Sequence, residues 1–221
     1  MKTLLFLMTF AGSLYAVADE MFVKPVPVTP KETIRLFNGV DFSGWTKVIT
    51  AEPGSDPDKT WTIANGVIRC TGKPFGYLMT QQIFANFTLK AEYRWYAQTE
   101  QMNSGIFVLK TGPDNFFLPK AVEAQLKKGS AGDFVLLSKA TVNGLDNPKN
   151  MSVKKLAASS EKPDGEWNSV EIVVQQNTVT VFINGVLQNK GHSAYTDAGA
   201  ICLQSEGGAI EFRNITVGPV R

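Results

Sequence analysis

The stretch Ala200–Val217, AICLQSEGGAIEFRNITV, contains two runs of alternating apolar residues separated by a pair of glycines. Alternation of this kind is typical of β-strands that bury one face. Four residues with charged or amide side chains fall within ten positions of the stretch: Gln204, Glu206, Glu211 and Arg213. Because such groups are costly to desolvate, they form either a solvated outer face or the lining of a cleft for a polar ligand. We interpret the stretch as a half-buried hairpin.

The same alternation recurs along most of the chain, in residues 89–96, 122–126, 170–174 and 179–183. The Asn-Gly pair at 184–185, between two alternating runs, is a strong signal for a tight hairpin turn. No long stretch has a helical period with caps, and no repeat of fixed length is visible. Many short strands separated by turns predict an all-β, two-sheet sandwich or jelly roll.

The chain divides into three segments. Residues 1–18 have a lysine, an apolar run and a small-x-small ending, which predicts a secretory signal peptide. Residues 19–33 are rich in proline and favour an extended arm. Residues 34–221 form the predicted globular domain. We therefore expect a periplasmic or secreted protein that has no membrane segment after cleavage.

Composition excludes several classes of partner and cofactor. The net charge is +2 without a basic run, so we expect no nucleic-acid partner. One histidine and two cysteines make a zinc site very unfavourable, and Cys70 and Cys202 are interpreted, by a small margin, as free thiols. No metal or cofactor is expected, although calcium stays open because four aspartates lie in predicted loops: Asp56, Asp58, Asp114 and Asp133. The sequence leaves the oligomeric state open.

Strand parity groups the polar side chains. Residues two apart in a strand share a face, so three runs each carry an acid with an amide or a guanidinium: Glu92 with Arg94, Glu123 with Gln125, and Gln204 with Glu206. For any one strand, a solvated outer face is the commoner explanation. Amides and carboxylates with aromatic residues nearby also suit a sugar site, for which Trp95, Tyr77 and Phe75 are candidate ring covers, each of them equally a core candidate. Motifs for other chemistries, such as G-x-S-x-G or a P-loop, are absent.

Eight segments resemble, in order, the 3-keto-disaccharide hydrolase domain family, between Arg35 and Val217. They are RLFNGVDFSGWTKV (35–48), WTIANGVIRCTGKPFGYLMT (61–80), NFTLKAEYRW (86–95), NSGIFV (103–108), AVEAQL (121–126), GEWNSVEIVV (165–174), VFINGVLQN (181–189) and ICLQSEGGAIEFRNITV (201–217). The resemblance implies a bacterial protein with a concanavalin A-like or laminin-G-like jelly roll and a carbohydrate substrate.

The resemblance also implies a reaction: cleavage of the glycosidic bond in disaccharides already oxidised at C3 of one sugar. A ketone at C3 acidifies the hydrogen on C2, so a base can remove it, the C1 substituent can leave, and water can then add. This route makes the protein a hydrolase or lyase, and it requires a base and an oxyanion stabiliser.

Carried onto this chain, the resemblance implies catalytic roles for Glu123, Glu206, Arg94 and Arg213. Either glutamate is the expected base, and either arginine is the expected enolate stabiliser. The implied substrate-binding residues are Glu92, Asn103, Ser104, Gln125, Gln204 and Trp95. Two departures from the family pattern stand out, because many members have His at the position of Glu206 and Asp at the position of Lys127.

Two other functions remain open from the sequence. A non-catalytic carbohydrate-binding module is the main alternative, since folds of this class host both functions. A retaining glucanase would need an E-x-D-x-E strand. The nearest match, EKPDGE at 161–166, has the wrong spacing and precedes a strand.

Overall fold

The computed structural model describes residues 25–113, 118–142 and 152–220. These residues form one short helix, α1 (Pro57–Thr60), and sixteen strands. In chain order the strands are β1 (Ile34–Arg35), β2 (Trp45–Ile49), β3 (Trp61–Ala64), β4 (Val67–Cys70), β5 (Gly76–Thr80), β6 (Phe84–Ala85), β7 (Phe87–Trp95), β8 (Gly105–Thr111), β9 (Lys120–Gln125), β10 (Phe134–Leu137), β11 (Ser152–Val153), β12 (Asn168–Gln175), β13 (Thr178–Ile183), β14 (Val186–Gly191), β15 (Ala198–Ser205) and β16 (Ile210–Pro219).

The strands form two antiparallel sheets. Sheet I has the order β14-β13-β12-β7-β16-β4-β3, with β1 paired to β16. Sheet II has the order β11-β10-β9-β8-β15-β5-β2, with β6 paired to β15. Neighbours in both sheets are often distant in sequence, as expected for a jelly roll. The predicted all-β sandwich is therefore confirmed.

The main core lies between the two sheets. Alternate residues of β7 in sheet I, from Phe87 to Trp95, face inward, and so do Ile201 and Leu203 of β15 in sheet II. The intervening positions of each strand face outward. Because the inward residues of both sheets are large and apolar, stacking the sheets removes them from water, which is the main driving force for this fold.

The glycine pair in Ala200–Val217 connects the two sheets. Strand β15 belongs to sheet II and β16 to sheet I, so the stretch crosses the sandwich and the hairpin interpretation is wrong. Gly208 makes the crossing possible, since a Cβ there would lie 2.2 Å from the Trp95 ring and 2.8 Å from the Asn103 backbone. Ile201 and Ile210 enter the same core from opposite sheets, an arrangement that gives the same alternation as a hairpin.

The hairpin at Asn184–Gly185 is confirmed. Strands β13 and β14 pair in antiparallel on either side of it, with Ile183 opposite Val186. The side-chain amide of Asn184 braces the turn by donating hydrogen bonds to the Ser160 carbonyl and to Asn168 Oδ1.

The part of the N-terminal arm that the structure describes, from residue 25 onward, pairs with the domain at Phe84. Val28 forms a parallel bridge with Phe84, and its backbone N–H donates to the Ile83 carbonyl at 3.0 Å. The predicted signal peptide (1–18) and residues 19–24 lie outside the described residues. Within the described part of the chain, no helix is long and apolar enough to cross a membrane.

Both cysteines are buried free thiols. Cys70 packs in the core between the sheets, whereas Cys202 belongs to a smaller apolar cluster on the outer face of sheet II. The two residues therefore lie on different layers, and the expectation of free thiols is confirmed.

Candidate functional site

Five polar residues converge on the outer face of sheet II. We call them the sheet II cluster: Tyr77 on β5, Asn103 just before β8, Glu123 on β9, Gln204 on β15 and Glu206 just after β15. Strands β9, β8, β15 and β5 are consecutive neighbours in the sheet. Tyr77 and Gln204 are directly opposite each other across β5 and β15. The predicted convergence of Glu123, Gln204, Glu206 and Asn103 is thus present in the structure.

Glu123 projects outward because its neighbours Val122 and Ala124 point into the core. Its carboxylate folds over Gly105 of the adjacent strand, so a Cβ on that glycine would lie 2.2 Å from Glu123 Oε1. The residue is only 2% exposed. Gly105 therefore provides the space in which this carboxyl group rests.

Glu206 is held by an amide. Asn103 Nδ2 donates a hydrogen bond to Glu206 Oε2 at 2.8 Å. The backbone fixes both residues, because the Gly208 N–H donates to the Asn103 carbonyl at 3.0 Å and the Gly207 N–H donates to the Gly72 carbonyl. Glu206 is half-buried, so one side of its carboxylate is open to a ligand.

The two carboxyl groups differ electrostatically. Burial raises the pKa of Glu123 well above its usual range, and the nearby charge of Glu206 raises it further. Burial also raises the pKa of Glu206, but hydrogen bonds from Gln204 and Asn103 and the charge of Lys127 oppose the shift. Glu123 therefore favours the protonated form, while Glu206 has partners that stabilise its anion.

The sheet II cluster is under-satisfied in hydrogen bonds. Four of its buried atoms have no partner: Tyr77 Oη, Asn103 Oδ1, Glu123 Oε1 and Gln204 Oε1. Buried polar atoms are rarely left unpaired, because each one carries a desolvation cost. Their grouping on one face makes that face suitable for a polar ligand with hydroxyl or carbonyl groups.

Two other predicted binding residues serve the backbone around this face. Gln125 Oε1 accepts hydrogen bonds from the Leu126 and Lys127 N–H groups at 2.9 and 2.8 Å. Ser104 is buried, and its hydroxyl donates to the Gln204 carbonyl at 2.8 Å. Ser104 thus fixes the backbone of Gln204, whereas Gln125 fixes the chain at the end of β9.

A family model matches most of the chain. The model for the 3-keto-alpha-glucoside-1,2-lyase-like domain aligns with residues 32–218. The chain belongs to this family. A 3-keto-disaccharide hydrolase from Bacteroides thetaiotaomicron is 29% identical to it over 189 residues, which cover 73% of this chain and 59% of the relative. The chain thus spans less than two thirds of that relative's length.

Several solved structures share the fold of this chain. A candidate glycosyl hydrolase from Parabacteroides distasonis superposes with a TM-score of 0.61 at 19% identity, covering 86% of this chain and 95% of that one. The β-glucanase of Bacillus licheniformis gives 0.60 at 14% identity, covering 86% and 99%. The carbohydrate-binding module CBM66 of Bacillus subtilis gives 0.57 at 10% identity, covering 79% and 95%. At these identities the similarity establishes the sandwich fold alone.

The predicted arginines lie on the other side of the sandwich. Arg94 and Arg213 project from the outer face of sheet I. Three ion pairs lie on this face, and we call them the sheet I network: Arg69 with Glu211, Arg94 with Glu211, and Arg213 with Glu92. Both arginines also lie over the Trp167 ring, at 4.6 and 3.9 Å. The whole sandwich separates this network from Glu123. The expectation that Arg94 or Arg213 stabilises an enolate beside Glu123 is therefore wrong, and so is a shared site with Glu92.

Trp95 does not reach either outer face. It points into the core, is 5% exposed, and its ring contacts Gly208 closely. The prediction that Trp95 covers a sugar ring is wrong for this reason. Strand parity already carried the signal, since Trp95 alternates with Glu92 and Arg94 along β7.

Sequence reasoning missed the contributions of Gly105 and of the Tyr77 hydroxyl. A lone glycine such as Gly105 carries no signal of this kind in the sequence, and Tyr77 is there only a candidate ring cover. Recognising either role requires the register that places Gly105 beside Glu123 and Tyr77 beside Gln204, and register between distant strands is not visible in one sequence.

The aspartates that left calcium open are dispersed. Asp56 caps α1, Asp58 pairs with Lys47, and the buried Asp133 pairs with Lys154 and Lys155. Asp114 lies outside the described residues. No group of three or more histidine, cysteine or acidic side chains arranged to hold a metal occurs in residues 25–113, 118–142 and 152–220.

Proposed function

We propose that this protein cleaves the glycosidic bond of 3-keto-glycosides at the sheet II cluster. One observation carries the proposal: Glu123 and Glu206 lie on one face, and although burial raises the pKa of both, only Glu206 has hydrogen-bond donors and a lysine charge that favour its anion. Such pairs are typical of sites that divide acid and base roles between two carboxyl groups. Membership of the 3-keto-alpha-glucoside-1,2-lyase-like family supports the proposal. The Bacteroides relative, which is a longer protein than this chain, supports it as well, because it is named a 3-keto-disaccharide hydrolase.

Glu206 is the base in this scheme. Its hydrogen bond from Asn103 and the charge of Lys127 favour the anion, and its half-buried position gives a substrate access to it. It removes the C2 proton of the keto sugar, which the adjacent C3 ketone has made acidic. The electron pair of the C2–H bond moves to form the enolate, whose charge develops on the C3 oxygen.

Glu123 is the acid in this scheme. In its protonated form it donates a hydrogen bond to the C3 oxygen as the enolate forms, a role that a buried neutral carboxylic acid can perform at neutral pH. The enolate then expels the C1 substituent, and the proton on Glu206 passes to the leaving oxygen. Water adds across the resulting C1–C2 double bond, with its oxygen on C1 and a proton on C2.

The amides of the sheet II cluster orient the sugar. Gln204 Oε1 and Asn103 Oδ1 are buried acceptors without partners, and sugar hydroxyls are suitable donors for both. Fixing the ring in this way places the C2 hydrogen against one carboxylate, which is the positioning that proton abstraction needs.

The proposal is tested with the purified protein and two substrates, 3-keto-trehalose and trehalose. We expect sugar release from the keto substrate only, with loss of that activity in Glu206→Gln. Glu92→Gln is the matched control, because it makes the same change on the opposite face, and it should leave kcat unaltered. Equal cleavage of both substrates, or full activity in Glu206→Gln, would contradict the proposal.

A carbohydrate-binding module is the second candidate, favoured by the shared fold with CBM66. It predicts measurable affinity for a glycan with no turnover of any keto substrate. Isothermal titration of the same two sugars distinguishes the candidates, since a binding module would bind without releasing product and the enzyme would release it.

Export and calcium remain proposals. A periplasmic or secreted protein should begin near residue 19, which N-terminal sequencing of the exported protein would reveal. Unchanged turnover of 3-keto-trehalose after dialysis against EGTA would argue that calcium is not required.

A further inference from the structure

Tyr77 combines complete burial with an unpaired hydroxyl. The side chain is 0% exposed, and Oη has no hydrogen-bond partner. It lies on the outer face of sheet II, directly opposite Gln204. A phenylalanine would fill the same volume without the desolvation cost of the hydroxyl, so packing does not explain why this position carries a tyrosine.

The rings of Tyr77 and Phe107 meet over β15. Strands β5 and β8 are separated by β15, so their backbones lie two strand spacings apart, about 9.6 Å. The centroid of the Tyr77 ring is nevertheless only 6.0 Å from that of Phe107 on β8, in an edge contact. Phe107 is in turn directly opposite Glu123 on β9. The two rings therefore lean toward each other over β15, which places the Tyr77 side chain beside the residue that pairs with Glu123.

The surroundings of the hydroxyl suit a hydrogen-bond donor. Burial raises the pKa of Tyr77, and the Cys202 thiol beside it acts in the same direction, so the O–H stays protonated. Glu123 is drawn toward the same part of the face because its carboxylate rests over Gly105. Tyr77 from β5 and Glu123 from β9 thus border the same region of the face, over β8 and β15.

We infer that the Tyr77 hydroxyl is a second donor to the C3 oxygen of the keto sugar, forming with Glu123 a two-donor oxyanion site. This inference rests on the proposed function, since it assigns a further catalytic residue to the same reaction. It also supplies the stabilisation of the enolate that was expected from an arginine. The two donors come from separate strands of a rigid sheet, so they need little reorganisation as charge develops.

The test is Tyr77→Phe, with Tyr93→Phe as the matched control. Tyr93 is also 0% exposed with an unpaired hydroxyl, but it lies in the core between the sheets. Removing one oxyanion donor lowers kcat by about 100-fold or more. We therefore expect Tyr77→Phe to lower kcat on 3-keto-trehalose by that factor with little change in KM. Neither variant should lower the melting temperature, because each removes only an unpaired buried hydroxyl.

Exchange of the C2 hydrogen gives a second readout. In D₂O, proton NMR should show that wild-type enzyme exchanges the C2 hydrogen of 3-keto-glucose, and that Tyr77→Phe slows the exchange by a factor similar to its loss in kcat. Tyr93→Phe should exchange at the wild-type rate. A structural role for Tyr77 would lower the melting temperature without this selective loss.

The outcomes separate the two proposals. If wild-type enzyme neither turns over nor exchanges the keto sugars, the proposed function fails, and the oxyanion assignment fails with it. If wild-type enzyme is active and Tyr77→Phe matches it in both kcat and exchange, only the assignment of Tyr77 is overturned. A selective loss in Tyr77→Phe, at an unchanged melting temperature, supports both.

Discussion

The two outer faces of the sandwich each hold a buried glutamate, but the two glutamates differ in whether their carboxyl oxygens have hydrogen-bond partners. On sheet I, Glu211 is almost fully buried, yet Arg69 and Arg94 donate to its two oxygens at 2.6 and 2.7 Å. On sheet II, Glu123 is equally buried, and its Oε1 has no partner. Two glutamates with the same exposure therefore differ in whether the protein itself provides the countercharge.

This difference separates stability from function. A buried carboxylate held by two guanidiniums contributes to a fixed structure, and its removal leaves uncompensated charge. A buried carboxyl that lacks partners destabilises the free protein, and it is retained where a ligand or a reaction uses it. The sheet I network thus belongs to the fold, and the sheet II cluster belongs to the proposed chemistry.

The largest expected effect is the loss of activity in Glu123→Leu. This change removes the acid while keeping an apolar side chain of similar size, so kcat on 3-keto-trehalose should fall by about 100- to 1000-fold, as when one oxyanion donor is removed. The free energy of unfolding at pH 7 should stay the same or rise, because a costly buried group is gone. Steady-state kinetics with urea unfolding checks both. A variant that keeps its activity would remove Glu123 from the mechanism.

Glu211→Leu should show the reverse pattern. The variant leaves Arg69 and Arg94 without their partner, and we expect a loss of about 3 kcal/mol in the free energy of unfolding, at the low end for a broken buried pair because both arginines are partly exposed. The folded fraction should keep the wild-type kcat. Urea unfolding at pH 7 measures the loss. A fall in kcat larger than the fall in folded fraction would contradict the separation of the two faces.

Gly105→Ala sharpens the comparison with a smaller change. The added Cβ would lie 2.2 Å from Glu123 Oε1, so the carboxyl must move. We expect kcat to fall by about 10-fold and stability by about 1 kcal/mol, as for moderate overpacking. Gly218→Ala on β16 is the control, since its nearest contact would be an ordinary 3.4 Å. Equal effects of the two alanines on kcat would argue against the role of Gly105.

Strand parity was enough to predict much of this arrangement. It assigned Glu123, Gln125, Gln204 and Glu206 to outward positions, and the resemblance to a known family named the sandwich. Parity does not say which of two outer faces a strand belongs to. The run through Gly207 and Gly208 keeps apolar residues inward on both sides of the crossing, so Gln204 and Arg213 look alike in sequence while lying on opposite sides of the protein.

A β-bulge reverses the strand parity of the residues beyond it, so bulges could also have made the sequence interpretation wrong. The bulges in this structure lie where they do not change the assignments. In β16 the irregularity falls between Arg213 and Thr216, beyond the residues whose parity was used. In β15 it falls between Ala200 and Cys202, before Gln204. The role of the Tyr77 hydroxyl could not be predicted from the sequence, because it depends on how the side chain packs over a neighbouring strand.

The smallest expected effect is the pH dependence of stability, compared between wild type and Glu123→Gln. The pKa of Glu123 is raised in the folded protein, so the folded state binds its proton more tightly than the unfolded chain does. Below the unfolded pKa, about 4.3, the carboxyl is neutral in both states and the two proteins should have similar stability. As pH rises, the unfolded wild type loses this proton first, so wild-type stability falls relative to the variant until pH exceeds the folded pKa. Between pH 4 and pH 9, the melting temperature of Glu123→Gln should therefore rise increasingly above that of the wild type as pH increases. Curves that stay parallel would mean that folding does not raise the pKa of Glu123, and curves that diverge toward acid pH would mean that the protein stabilises its anion. Either result would remove the contrast between the two faces.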